Sequence, residues 1–213
     1  MSIKAYLFDM DGTLANSELH YAKAIQRLLE EHGYKENLKE IGKKIAGAEI
    51  DCNVQYVVDK IGGDFNEIKN ILLERAEYSP FDYKDYIYED SLEVIKALKK
   101  QGYKLALCTI NRNERVENFL SCGFKDLFEC FVNPETYPCR NKPEPDIYLT
   151  AMKLLNVKAE ECIIVEDSIV GIESGKRSGA YVIANKECGF DVDVSKADKT
   201  IDNLVELIKN EKR

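Results

Sequence analysis

The sequence predicts an α/β protein whose parallel, Rossmann-like sheet is covered by helices on both faces and carries an inserted all-helical domain. Three observations lead there. Short aliphatic and β-branched runs recur at residues 3–8, 103–109, 127–132, 162–166 and 181–184. From residue 90 onward helical patterns alternate with these runs, the order expected of a parallel sheet. Roughly seventy residues without a strand-like run separate the first run from the helix at residue 90, far too many for one crossover loop.

Taken in order, the run at 3–8 reads as a buried strand that ends at Asp9. Asn16 or Ser17 can cap a helix whose apolar face is Leu19, Ala22, Ile25, Leu28 and Leu29 and which stops at Gly33. Helical patterns follow over residues 54–61 and 65–78, so an all-helical insert is expected from about Ala15 to about Phe81, with residues 80–89 as the return linker. The core is then residues 1–14 plus 86–213, and residues 15–85 form the helical insert with its linkers.

Asp90 and Glu93 have the form of a capping box; Leu92, Ile95 and Leu98 give that helix its apolar face and Gly102 ends it. Val116, Phe119 and Leu120 mark the next helix, Ile147, Ala151, Leu154 and Leu155 another, and Leu204, Val205 and Ile208 the last. Over residues 169–179, Gly171, Ser174, Gly175, Ser178 and Gly179 share one face. Interior glycine costs about 1 kcal/mol against alanine, so this face is read as close packing against the sheet, not as phosphate binding.

Thirty basic and thirty-eight acidic residues give a net charge of −8, which disfavours nucleic-acid or anionic-membrane partners. The seven cysteines are odd in number and lack a Cys-x-x-Cys pair, as expected of reduced thiols in a cytoplasmic protein. The N-terminal apolar run is interrupted at Lys4 and ends at Asp9, too short and too charged for a signal peptide or membrane span.

Asp9-Met10-Asp11-Gly12-Thr13 places two carboxylates, two residues apart, on one side of an extended chain where a strand runs out. One carboxylate can attack phosphorus while the other moves a proton. Val165-Glu166-Asp167-Ser168 repeats the logic at the end of another strand. In an open parallel sheet, ligands sit beyond the carboxyl ends of the strands, which gathers Asp9, Thr109, Glu166 and Asp167 at one edge. A like-charged pair 4 Å apart costs about 4 kcal/mol at an effective dielectric of 20, so ionised carboxylates there call for a divalent cation. Hard oxygen ligands shared with a phosphate suit Mg²⁺. Lys142, in a turn set by Pro143 and Pro145 before a helix, can pair with phosphate and with the nucleophilic carboxylate; Thr109 offers its hydroxyl and backbone amide. His20 and His32 have no partner at metal or triad spacing, although His20 is near the expected cleft.

Phe8-Asp9-Met10-Asp11-Gly12-Thr13-Leu14, Cys108-Thr109-Ile110-Asn111, Lys142-Pro143-Glu144-Pro145-Asp146 and Val165-Glu166-Asp167-Ser168 resemble the four motifs of the haloacid dehalogenase superfamily. The helical insert is similar to the cap of the branch that holds phosphoglycolate phosphatases and β-phosphoglucomutase. The resemblance implies that Asp9 is the nucleophile of an aspartyl-phosphate mechanism and Asp11 the general acid and base, with Thr109 and Lys142 holding the phosphoryl group. It also implies Mg²⁺ held by Asp167, Glu166, the Asp9 carboxylate and the Asp11 backbone carbonyl, with the amides of Met10 and Asp11 meeting the phosphate. Asn111 and Arg112, with Asn113, Arg140, Glu49 and the tyrosines, are candidates for contacts with a small phosphorylated metabolite.

Asp11 disfavours carbon–halogen and carbon–phosphorus cleavage, because relatives with those activities lack an aspartate there. Departures from the family pattern are Glu89-Asp90 in place of Pro-Gly at the return from the cap, Asn16 in place of an acidic residue, and a Glu18-Leu19-His20 spacing one residue short. The loop Gly47-Ala48-Glu49-Ile50-Asp51 lacks the arginine with which the mutase clamps a second phosphate. The expectation is a Mg²⁺-dependent phosphatase acting on a small phosphomonoester, with a sugar-phosphate mutase as the alternative and a non-catalytic binding protein as the third reading.

Overall fold

The computed structural model describes residues 2–45, 48, 50–74 and 82–209. Six strands form one sheet: β1 (Ala5–Phe8), β2 (Lys104–Cys108), β3 (Cys130–Val132), β4 (Cys162–Glu166), β5 (Tyr181–Asn185) and β6 (Lys199–Ile201). Their order is β3-β2-β1-β4-β5-β6 and each pairing is parallel. The chain first builds outward from β1 through β2 to β3, then crosses to β4 on the other side. That reversal makes the carboxyl end of β1 the switch point of the sheet, where such folds open a crevice.

Alternation along β1 sorts its side chains onto two cores. Tyr6 and Phe8 join Val94, Ile95 and Leu98 of α5 (Ser91–Lys100), Val116 and Phe119 of α6 (Asn113–Ser121), and Leu207 of the short α9 (Glu206–Lys209). Ala5 and Leu7 face Ile147, Tyr148 and Ala151 of α7 (Asp146–Leu155) and Ile172 of α8 (Ile169–Ser178). On α8 the small-residue face does what its composition predicts: a Cβ on Gly175 would crowd Val182 and Ile164, so the helix lies close on β4 and β5.

Among the described residues between β1 and α5, four helices have a core of their own: α1 (Ser17–Glu31), α2 (Leu38–Ile45), α3 (Ile50–Ile61) and α4 (Phe65–Glu74). Ile25, Leu28, Leu29, Ile41, Val54, Val57 and Leu72 fill it, joined by Cys188 and Phe190 from the loop after β5. The Phe190 ring occupies the space a Cβ on Gly42 would need, which ties α2 to the sheet-bearing part of the chain.

Several details differ from the sequence reading. Helix α2 and strand β6 are additional elements. Asp90 makes no capping bond to α5; the helix begins at Ser91, whose hydroxyl donates to the Leu14 carbonyl at 2.7 Å. Asn16 precedes α1 without a side-chain cap bond, and the Ser17 hydroxyl donates to Asp11. Pro145 occupies the residue before α7, so Lys142 belongs to the turn ahead of the helix. Within the expected insert, residues 75–78 of its last helix, residues 80 and 81 at its end, and Gly47 and Glu49 of its loop lie outside the described residues. Among the described residues, no helix is long and apolar enough to cross a membrane.

Candidate active site

Backbone pairing carries the site residues to one edge. Asp9 continues β1 with its amide donating to the Val165 carbonyl at 3.0 Å, and Glu166 and Asp167 end β4 immediately beside it. Thr109 ends β2 on the other flank, where its amide donates to the Val132 carbonyl at 3.1 Å. That amide is therefore committed to the sheet, and only the hydroxyl of Thr109 remains for a ligand, contrary to the sequence expectation. Thr109 Oγ1 accepts from the Asn111 amide nitrogen at 3.2 Å and from Asn111 Nδ2 at 3.1 Å.

Lys142 reaches into this edge from the turn before α7. Its ammonium donates to Asp9 Oδ1, to Glu166 Oε1 at 2.6 Å and to the Cys108 carbonyl at 3.3 Å, and it lies 5.2 Å from the centroid of the Tyr148 ring. Glu166 is fully buried. Its Oε1 also accepts from Tyr148 Oη at 2.7 Å; its Oε2 accepts from the Asp167 amide at 3.0 Å and from the Ser168 amide and hydroxyl at 3.2 and 3.1 Å. With those donors the four lone-pair positions of a carboxylate are filled, so Glu166 serves first as the counter-ion that aims Lys142.

Asp167 is different. Its Oδ1 accepts from Thr13 Oγ1 at 3.0 Å, whereas Oδ2 is buried with no hydrogen-bond partner among the described residues. One oxygen each from Asp9, Glu166 and Asp167 can lie within 4.8 Å of one another. Three carboxylates against one ammonium leave an excess of negative charge, and the titrations reflect it. Burial pushes Asp9 up to about 8 against the pull of Lys142, with Glu166 and Asp11 adding to the rise. Burial, then Glu166, Asp9 and Glu18, hold Asp167 well above the carboxylate range. Burial raises Glu166 too, but Lys142 together with hydrogen bonds from Tyr148 and Ser168 brings the net direction down. An orphaned carboxylate oxygen among like charges fits a hard divalent cation, whose charge would reverse these shifts. Asp9 and Asp167 fit best as its ligands; Glu166 can contribute only by giving up a donor.

The Asp11 side chain points elsewhere. Oδ1 accepts from Ser17 Oγ and from Tyr83 Oη at 2.7 Å, and Oδ2 from Asn111 Nδ2. The Asp11 carboxylate is thus turned toward Ser17, Tyr83 and Asn111 and is not one of the three carboxylates that cluster. Two glycines make room for the site. Gly12 has φ +73, and a Cβ there would fall on the Asp167 carboxylate; a Cβ on Gly171 would fall on Glu166.

Of the residues expected to contact substrate, Met10 is buried in the core and offers only its backbone, Asn111 sits on Asp11 and Thr109, and Arg112 is exposed ahead of α6. Arg115, one turn further on, is the guanidinium brought toward the site: it donates to Tyr21 Oη and lies over that ring at 5.3 Å. His20 packs against Tyr21 and Tyr86, with ring centroids 5.7 and 4.7 Å apart. Its Nδ1 is 2.5 Å from Tyr86 Oη, in a cleft of about 760 Å³ lined by Lys23, Arg27 and residues 85–89.

The sequence pattern of the haloacid dehalogenase-like hydrolases matches residues 6–185, and the chain belongs to that family. It is similar to a Saccharomyces cerevisiae protein named "Probable pseudouridine-5'-phosphatase", 31% identical over 199 residues and covering 86% of this chain and 82% of the relative. It is also similar to the phosphoglycolate phosphatase of Aquifex aeolicus, 28% identical over 180 residues, 83% of this chain and 82% of the other. Among solved structures, a family hydrolase from Deinococcus radiodurans with bound phosphate and sodium superposes with a TM-score of 0.77 at 26% identity, covering 96% of this chain and 93% of that one. Within its family the chain is a phosphatase, a phosphoric monoester hydrolase.

Proposed function

We propose that this phosphatase hydrolyses a small phosphomonoester in the cytoplasm through a phosphoryl-aspartate on Asp9, and that it depends on Mg²⁺. The observation that carries the reading is the division of labour among the carboxylates. Asp9 is held by Lys142 at the switch point of the sheet, Asp167 presents an unsatisfied oxygen beside it, and Asp11 is held apart by hydroxyl and amide donors.

In the first half-reaction an Asp9 oxygen attacks phosphorus in line with the ester oxygen. As that P–O bond breaks, Asp11 gives its proton to the departing oxygen. In the second, Asp11 takes a proton from water as the water oxygen attacks phosphorus, the bond to Asp9 breaks, and inorganic phosphate leaves with Asp9 restored. The ammonium of Lys142 and the hydroxyl of Thr109 hold the phosphoryl oxygens, with the Met10 and Asp11 backbone at the same position. Asn111 and Arg112 stand at the rim toward the rest of the substrate. Mg²⁺, held by Asp9, Asp167 and the Asp11 carbonyl with Glu166 behind them, would neutralise charge on the phosphoryl group.

Helices α1 to α4, within residues 15–85, act as the cap over the core of residues 1–14 and 86–213, closing to exclude water before attack and reopening for release. The test is phosphate release from a panel of small phosphomonoesters, with Mg²⁺ or chelator, by the wild type and Asp9→Ala. Metal-dependent release that disappears in the variant supports the reading; equal release by the variant overturns it.

A further inference from the structure

We infer that Tyr83 is a positioning residue for the acid–base carboxyl, fixing Asp11 from the segment that returns from the helical unit; this rests on the role proposed above for Asp11. Tyr83 is fully buried in the short 3-10 turn Tyr83–Asp85, and its hydroxyl donates to Asp11 Oδ1 at 2.7 Å. The same oxygen accepts from Ser17, the first residue of α1. The outgoing and returning segments therefore each place one hydroxyl on one carboxylate oxygen.

A carboxylate oxygen has two lone-pair positions. Ser17 and Tyr83 fill both on Oδ1, while among the described residues Oδ2 accepts from Asn111 alone. The pair thereby leaves Oδ2 as the oxygen with a free position, the one able to exchange a proton with the ester oxygen. Tyr83 is itself anchored on α6: its amide donates to Asn118 Oδ1 at 2.8 Å, and its ring meets Phe119 edge-on, with centroids 5.6 Å apart. The hydroxyl is thus aimed by the sheet-bearing core.

General acid catalysis matters most where the leaving group is poor. Tyr83→Phe removes the hydroxyl and keeps the ring on Phe119. The value of kcat/KM, which reports steps through departure of the leaving group, is measured for an alkyl phosphate and for p-nitrophenyl phosphate. The expected result for Tyr83→Phe is a fall of about ten- to a hundredfold on the alkyl ester, part of the full worth of an acid, with a much smaller fall on the aryl ester. Ser17→Ala shifts the same ratio in the same direction, and Asp11→Asn shifts it further. Equal losses on both esters, or no loss, in Tyr83→Phe while Asp11→Asn remains leaving-group selective overturn the inference alone. If Asp11→Asn shows no selectivity, the acid–base role of Asp11 fails, and the inference with it.

Discussion

Lys142 and Glu166 form an ion pair of 2.6 Å in which the lysine side chain is 5% exposed and the glutamate 0%. The lysine is shared with Asp9, whose side chain is 11% exposed, so one ammonium balances two largely buried carboxylates. Burial works against its charge, but Asp9 and Glu166 more than offset this and raise its pKa. Lys142 is therefore a requirement of folding as well as of the phosphate binding proposed for it.

Lys142→Met should abolish phosphate release and destabilise the fold by about 3–5 kcal/mol, the usual cost of removing one partner from a buried charge pair. Urea denaturation monitored by circular dichroism measures the second effect. A variant as stable as the wild type would mean that Asp9 and Glu166 do not depend on this lysine for charge balance.

Gly171→Ala sets two effects against each other. Helix propensity predicts a gain of at most about 1 kcal/mol, the value for a helix interior, at this first-turn position of α8. The new Cβ would fall on the Glu166 carboxylate, and overpacking costs about 1–3 kcal/mol. The net expectation is lower stability, with reduced kcat as Glu166 is pushed off Lys142. A stabilised, fully active variant would show that the carboxylate has room to move.

Legibility in the sequence followed burial. Strands β1, β2, β4 and β5 are buried on both faces and stand out as apolar runs, and the carboxylates that follow β1 and β4 were readable for the same reason. Helix α2 was not: Leu38, Ile41 and Ile45 are its apolar contacts, charged residues surround them, and Gly42 looks like a breaker until Phe190 is seen to need its missing Cβ. Strand β6 is three residues long and exists through its pairing with β5. Tyr83 stood in an acidic and tyrosine-rich stretch read as linker. Its partner, Asp11, is 72 residues away, and no local pattern encodes such a contact. Tyr148 and Arg115 were missed likewise, each lying on a helix face whose direction only the packing sets.

The dependence of stability on pH should be steeper without metal than with it. Asp9 rises from 3.8 to about 8 on folding without a cation, and Asp167 shifts in the same direction. A raised carboxyl keeps its proton in the folded chain where the unfolded chain has lost it. Its stabilisation is thus complete below the unfolded value and is lost as pH rises through the folded one. In chelator, the denaturation midpoint should fall between about pH 4 and pH 8; Mg²⁺ should flatten the fall and raise the midpoint most at its alkaline end. Identical profiles with and without Mg²⁺ would argue against a cation at Asp167.

Phe190→Ala should loosen α2 without touching the carboxylates. Phe190 is 8% exposed, and truncating a buried phenylalanine costs about 3–5 kcal/mol. Hydrogen exchange should rise in α2 and α1 while β1 and β4 keep their protection. Uniform loss of protection would indicate that the four helices and the sheet unfold as one unit.

The nucleophilic role of Asp9 is tested most directly by trapping the covalent intermediate. Asp11→Asn is mixed with p-nitrophenyl phosphate and Mg²⁺, quenched in acid, digested and analysed by mass spectrometry. The expected result is one phosphoryl group on the peptide that contains Asp9, absent when Asp9→Asn is added to the variant. Phosphate release with no modification of that peptide, together with an active Asp9→Asn enzyme, would contradict the account.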